Sequence, residues 1–337
     1  MLVSIITPIY KSQKYIEDCA RSLFEQSYKE IEYIFVDDVC GDKSIDILEK
    51  VISDYPLRSG QINIIHHERN TGSAMARETG MQAAHGDYVI HVDSDDTVDK
   101  HFIEHLVNAV IENDADAAIC NIVAGNTKNP KFSISQELCD DPYNLVANVL
   151  ADTTHASLCN KLFKLSLFLE NDIHFSKDLN IYDDKSVVFR VLYYCKKIVA
   201  VKEDLYFYNK NNNNSITHKI RNNPELIKAM VVFAKLVDSF FLDKHLSENV
   251  KDNIQKSIIL WKNTLAGMLL NHVPIKKIRN EIREFEPFRP NVFLFQSSLP
   301  THYKLVLLFY IFKLYPLICL QRNLVVMLYD MYYNTDI

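Results

Sequence analysis

Along the first hundred positions, short apolar runs alternate with stretches whose apolar residues recur at helical spacing. Leu2-Val-Ser-Ile-Ile6 reads as a buried strand, closed by Thr7-Pro8 because proline cannot donate into a central ladder. Tyr15, Ile16, Cys19, Leu23 and Phe24 then follow a helical stripe to about Gln26. Glu32 to Val36 is a second strand, with Asp37-Asp38 at its carboxyl end. Ile45 to Ile52 reads as a helix capped by Asp42, Ile62 to Ile65 as a third strand, and Gly72 to Ala84 as a helix. Tyr88 to Val92 is a fourth strand and runs straight into Asp93-Ser94-Asp95-Asp96. This β-α-β-α-β-α-β alternation predicts an α/β fold with a parallel sheet, right-handed crossovers and a ligand crevice at the carboxyl edge.

Further along, Phe102 to Asn113 reads as a helix and Ala115 to Ile122 as a strand, followed by a polar loop to about residue 136. Helices are expected over 143–151 and 160–170, then strands at Ile198 to Val201 and Leu205 to Tyr208, with a polar loop at Asn211 to Asn214. Asp183-Asp184 precede an apolar helix, Val187 to Tyr194, where acids also serve as a dipole cap. Beyond Pro224 the pattern turns helical, dividing the chain into 1–220 and a mainly helical 221–337. Lys304 to Leu328 is very apolar, yet Pro316 breaks it, and Lys313 faces away from Lys304 and Arg322, so no clean amphipathic helix results. Core packing or a homodimer contact is the plain reading of that stretch; peripheral docking at the cytoplasmic face of the membrane is the other.

Composition narrows the function classes. At 337 residues, 48% hydrophobic and 24% charged, the chain is an ordinary globular protein. A net charge of −6 gives no electrostatic support for a nucleic-acid partner. Seven scattered cysteines without a CxxC fit reduced thiols and a cytoplasmic location better than a disulfide frame or zinc site. No secretory leader is visible, and no run reaches the ~18 apolar residues of a membrane span.

The candidate chemistry lies in the acids. Asp37/Asp38 and Asp93/Asp95 fall at strand ends on the same sheet edge. Carboxylates spaced i, i+2 suit a hard cation, Mn²⁺ or Mg²⁺, that also holds phosphate oxygens. No GxGxxG follows the first strand, which disfavours a dinucleotide-binding fold.

An ordered set of segments carries a resemblance. The set runs Ser4-Ile-Ile-Thr-Pro-Ile-Tyr10, Ser22-Leu-Phe-Glu-Gln-Ser27, Glu32-Tyr-Ile-Phe-Val-Asp-Asp38, Asn70-Thr-Gly72, Ala76-Arg77, Ala84-His-Gly-Asp-Tyr88 and Asp93-Ser-Asp-Asp96. Cys159-Asn-Lys-Leu-Phe163, Asp183-Asp184 and Ser215-Ile-Thr-His218 extend it, and beyond about residue 220 it fades. The chain resembles family-2 inverting glycosyltransferases of GT-A fold, a Rossmann-like α/β mixed sheet with flanking helices, of the kind that build bacterial surface polysaccharides. The resemblance implies a nucleotide-sugar donor, with UDP expected, and a glycan or lipid-linked acceptor. Thr7, Pro8 and Tyr10 would border the base, Asp38 with Asp37 would accept from its imide N–H, and Asn70, Gly72 and Arg77 would close over the diphosphate or sugar. Asp93 and Asp95 would hold the metal with His218 as a further ligand, Asp93 and Ser94 would also contact the donor, and Asp96 would lie towards its sugar. Asp184 would be the base that deprotonates the acceptor hydroxyl, with Asp183 the alternative, giving a β-linked product.

Departures from the family pattern fall around these positions. Glycine arrives late in Asp37-Asp38-Val-Cys-Gly-Asp42, Glu78 stands where Asn is frequent, and Asp183 replaces a usual Glu. Two competing readings are a haloacid-dehalogenase-like phosphatase, on Asp93-Ser-Asp-Asp-Thr97, and a non-catalytic nucleotide-sugar-binding protein.

Overall fold

The four N-terminal apolar runs form the parallel half of one sheet. Strands β1 (Val3–Ile9), β2 (Ile31–Asp37), β3 (Ile62–His66) and β4 (Tyr88–His91) stand in the order β3-β2-β1-β4. In this computed structural model, which describes residues 1–134, 140–210, 224–244 and 246–258, helices α1 (Ile16–Phe24), α2 (Ser44–Asp54) and α3 (Ser73–Gln82) connect those strands. Tyr33, Phe35, Ile5 and Ile90 pack with Leu23, Phe24 and Leu48 into a core beneath one sheet face. On the other face α3 approaches so closely that a Cβ on Gly80 would lie 2.4 Å from Ile6 Cγ2. Burial of this apolar surface, at ~25 cal/mol per Å², is what holds the layers together.

Strand β1 does not stop at Thr7-Pro8; it continues to Ile9, with Pro8 opposite Val36. The Ile6 carbonyl accepts from Val92 N–H, while the Ile9 carbonyl accepts from Asp38 N–H. Even positions thus direct their polar groups towards β4 and odd ones towards β2. The N–H that Pro8 lacks would face β4 beyond their last pair, Ile6 with His91, so no ladder bond is lost.

The second half of the sheet departs further from the expected pattern. After β5 (Thr97–Val98) and α4 (Phe102–Asn113), β6 (Ala117–Asn126) turns into a hairpin with β7 (Asn129–Ile134), where a loop was expected. Helix α5 (Pro142–Leu150) is capped by Asp141, which accepts from the Tyr143 and Asn144 N–H groups. Residues 160–170 are not one helix: β8 (Lys161–Lys164) precedes a short α6 (Ser166–Glu170). Strand β8 wedges antiparallel between β4 and β6, and that double pairing overrides local propensity. Helix α7 (Asp183–Tyr194) begins at the acid pair itself. The two C-terminal strands are one, β9 (Ile198–Tyr208), whose pairing with β6 jumps from Cys120–Val201 to Asn121–Asp204. The polar Lys202-Glu203 step that reads as a break is absorbed there as a bulge. The complete order is β3-β2-β1-β4-β8-β6-β9-β5, with β7 beside β6.

The chain divides into two compact units, Met1–Arg221 and Asn222–Ile337. In the second, α8 (Pro224–Leu242) precedes a helical stretch over 248–258, and Phe233, Val237 and Ile254 are buried. Among the described residues no helix is long and apolar enough to cross a membrane. The Asn211–Asn214 loop and the apolar stretch Lys304 to Leu328 lie outside the described residues.

Candidate active site

The carboxyl edge of the parallel strands collects the acids, but not all of them face outward. Asp38 is 2% exposed, and its carboxylate accepts from Thr71 N–H (2.8 Å), Gly72 N–H (2.8 Å) and Thr71 Oγ1 (3.0 Å), with His67 Nδ1 at 2.9 Å. Asn70 Nδ2 donates to the Asp38 carbonyl at 2.9 Å. Asp38 therefore anchors the Asn70–Gly72 loop rather than presenting its side chain to a base. Gly72 is required there: its φ is +88°, and a Cβ would strike the Asn180 side chain at 2.5 Å. Asp37 accepts from Cys40 N–H at 2.9 Å and pairs with His66 at 3.0 Å. Burial works to raise its pKa, but the bonds from Cys40 and His66 prevail and hold it below the usual carboxylate value.

The Asp93–Asp96 segment divides by orientation. Ser94 and Asp96 are buried, whereas Asp93 and Asp95 remain half-buried. Ser94 Oγ lies 2.6 Å from Ser12 Oγ. Asp96 accepts from the Tyr206 hydroxyl at 2.5 Å and from Asn209 N–H at 2.8 Å, so it does not lie towards a donor sugar as expected. It fastens the turn to the end of β9. Burial, with Asp95 and Asp93 nearby, pushes the Asp96 carboxyl well up. Tyr206 also accepts the Asp93 N–H at 3.3 Å, and the turn closes through Asp96 N–H to the Asp93 carbonyl. Turning the even-numbered side chains inward leaves Asp93 and Asp95 as the outward oxygen donors. An all-oxygen pair, with the remaining positions left to diphosphate and water, fits Mg²⁺ or Mn²⁺.

Arg77, on α3, links this segment to the second acid pair. Its guanidinium is buried and reaches Asp93 at 2.6 Å, Asp183 at 3.0 Å and Asp184 at 3.6 Å. Asp183 also accepts from Ser73 Oγ at 3.1 Å. Burial raises Asp183 to about 7, with Arg77 pulling down and Asp184 pushing up. Asp93 is raised by burial to about 6, again against Arg77 and with Asp184 and Asp95 adding to the rise. Asp184 accepts the Leu158 N–H at 3.2 Å through Oδ2, while its buried Oδ1 has no hydrogen-bond partner. The loop bearing Leu158 is fixed by Lys161, which is fully buried and donates to the His155 carbonyl, the Ser157 carbonyl and Asn160 Oδ1 at 2.7–2.8 Å. Burial lowers this lysine to about 8.

The remaining expected residues scatter. Thr7 is buried within β1 and its Oγ1 has no partner; Pro8 is half-buried in the same strand. Tyr10 is 47% exposed beyond the strand, with Lys11 Nζ 5.1 Å from its ring centroid. His218 lies outside the described residues. His67 and Tyr206 have structural duties at the site that no motif announced, and Lys161, inside the matched Cys159–Phe163 segment, has one that the resemblance did not assign. A lysine inside the apolar Leu158–Phe163 run and a tyrosine ending a strand are the faint signals they leave.

This arrangement has relatives. Residues 4–171 match the Glycosyl transferase family 2 profile. Glycosyltransferase GlyG of Streptococcus pneumoniae is 30% identical over 62% of this chain and 71% of its own length. Poly(ribitol-phosphate) beta-N-acetylglucosaminyltransferase TarS of Staphylococcus aureus is 25% identical over 62% of this chain, which spans 35% of that relative. A crystal structure of S. aureus TarS 1–349 in complex with UDP-GlcNAc shares the fold at a TM-score of 0.65 and 19% identity, covering 96% of this chain and 88% of that one. Mannosyltransferase PcManGT of Pyrobaculum calidifontis, in complex with GDP-Man and Mn²⁺, aligns at a TM-score of 0.57 and 14% identity over 99% and 88%. The phosphatase reading, which would put the acid motif on the first core strand instead of the fourth, finds no place here. With the parallel sheet, the outward Asp93/Asp95 pair and these likenesses taken together, the chain is a glycosyltransferase of family 2, built on the GT-A fold.

Proposed function

We propose that this protein transfers a sugar from a UDP-sugar to a hydroxyl of a glycan or lipid-linked acceptor in cell-surface polysaccharide synthesis, inverting the anomeric centre to give a β-linkage. The observation that carries the reading is the buried Arg77 holding Asp93 and the Asp183/Asp184 pair in one cluster. Leaving-group handling and proton removal need to meet across one sugar ring, and these are the two acid sets for those tasks. The UDP-GlcNAc complex of TarS supports UDP as the carrier, and GlcNAc is the first sugar to test.

Asp93 and Asp95 would hold Mn²⁺ or Mg²⁺, which when bound neutralises charge on the departing diphosphate. Thr7, Pro8, Tyr10 and Asp37 would border the base, with Asp38 acting through the loop it anchors. Asn70 and Gly72 would supply the edge of the diphosphate pocket. Asp184 is the base. Its Oδ1 faces Arg77 Nε at 3.6 Å without a hydrogen bond, whereas Asp183 Oδ2 is hydrogen-bonded to both Arg77 and Ser73. As the acceptor oxygen attacks the anomeric carbon and the bond to UDP breaks, the acceptor's proton passes to Asp184. His218 would join the diphosphate side, and residues 221–337 would serve acceptor, oligomer or membrane-surface contacts.

Turnover of UDP-GlcNAc with Mn²⁺, read as UDP release, tests the assignment. Asp184→Asn is expected to lose about 10²–10⁴-fold in rate while UDP affinity stays unchanged. Turnover within about tenfold of wild type would exclude Asp184 as the base.

A further inference from the structure

Helix α4 carries a second cluster of ligating side chains that the transfer reaction does not use. His101, Glu104 and His105 stand at i, i+3 and i+4, one patch of the first helical turns, opposite the buried Phe102, Leu106 and Val110. The two imidazoles are nearly parallel, 10° apart with ring centroids at 5.5 Å. Each is held at Nδ1 by a carboxylate. His101 Nδ1 lies 2.9 Å from Glu104 Oε2, which also accepts from Ser27 Oγ at 2.7 Å, and His105 Nδ1 lies 2.9 Å from Glu203 Oε2 on β9. For His105, Glu203 on Nδ1 fixes the tautomer and leaves the lone pair on Nε2, which is how metal-binding histidines are commonly supported, whereas His101 Nδ1 and Glu104 Oε2 face each other so that a cation can replace the proton between them.

We infer that His101, His105 and Glu104 form a binding site for a divalent transition cation, with Zn²⁺ the best match, oriented by Glu203 and Ser27. One ligand atom from each of the three residues lies within 4.8 Å of the others. Tetrahedral ligands at bond lengths of ~2.0–2.2 Å are about 3.4 Å apart, so the side chains need to close by about 1.4 Å. Their exposure, 36–40%, leaves them room to rotate. Two imidazole donors beside the carboxylates of Glu104 and Glu203 offer a dication both ligands and opposite charge. Imidazole donors select zinc, nickel or copper over magnesium, so this site differs in kind from the all-oxygen Asp93/Asp95 pair. An ion there would clip α4 to β9, the strand that holds Asp96.

The full chain carrying Asp93→Asn and Asp95→Asn, so that the acid pair does not compete, is titrated with ZnCl₂ by calorimetry and thermal melting. One zinc per chain is expected, with the melting temperature rising by about 5–10 °C at a hundredfold excess over the Kd. Adding His101→Ala and His105→Ala is expected to abolish the high-affinity event, and Glu203→Gln to weaken it by about 10–100-fold. MgCl₂ is expected to produce no shift. Absence of zinc binding, or equal affinity in the double-alanine variant, would overturn the site; equal affinity in Glu203→Gln would overturn its support from β9.

Discussion

Replacing Arg77 by methionine tests the organisation of the acid cluster most directly. One guanidinium, 5% exposed, faces three carboxylates at 2.6, 3.0 and 3.6 Å. Removing the cation from a buried pair typically costs about 3–5 kcal/mol, because the partner charge stays buried without compensation. At about 2–4 °C per kcal/mol for a domain of this size, the melting temperature falls by about 6–20 °C. The pH dependence fixes the cause. Asp183 titrates at about 7 and Asp93 at about 6, above the ordinary 3.8. Carboxylates with raised folded pKa values bind protons on folding, so their contribution to stability declines as pH rises from about 4 through those values. Losing Arg77 raises them further, and the deficit is therefore largest near pH 8 and shrinks towards pH 5, where the acids are neutralised. Thermal melts of Arg77→Met, Arg77→Lys and wild type at the two pH values read this out. Lysine keeps the charge but cannot fork to several oxygens, so it should fall between the other two. A methionine variant melting within about 2 °C of wild type at pH 8, or one whose deficit grows on acidification, would refute the reasoning.

Other perturbations address single contacts. Tyr206→Phe removes the hydroxyl shared by Asp96 and the Asp93 N–H; it should cost about 1–3 kcal/mol in denaturant unfolding and weaken UDP binding as the turn loosens. Lys161→Met leaves the His155 and Ser157 carbonyls without their donor; turnover should drop by up to about a hundredfold through misplacement of Leu158 and Asp184, with UDP affinity retained in calorimetry. Gly86→Ala puts a Cβ 2.7 Å from the Tyr88 carbonyl, which as backbone cannot yield, and about 1–3 kcal/mol of lost stability should appear in the same unfolding assay.

What could be read from the sequence follows from how local each signal is. Strands β1 to β4 and their helices are consecutive units with apolar periodicity, so their approximate position, type and parallel direction were legible, while the order β3-β2-β1-β4 was not. Asp93 and Asp95 were legible because a strand end and an i, i+2 spacing are local facts. The directions of Asp38 and Asp96 were not, since each is fixed by partners brought in by the fold: Thr71 and Gly72 for one, Tyr206 and Asn209 for the other. Arg77 shows the same limit. As a sequence feature it offered a group to close over the diphosphate or sugar, and its burial between two acid sets came only with the fold. Strand β8 escaped because four residues that pair on both edges carry no period of their own.

The Tyr206–Asp96 bond spans 110 positions of chain and the Asn209 bond 113. At synthesis rates of about 5–20 residues per second, that interval lasts about 6–22 s on the ribosome. Throughout it, the carboxylate of Asp96 has neither of its donors, and the core beneath β1–β4 lacks Leu205 and Tyr206. The turn that carries Asp93 and Asp95 is therefore fastened only once β9 has been made. A chain ending before residue 206 would have that turn without the Tyr206 hydroxyl and the Asn209 N–H that hold it.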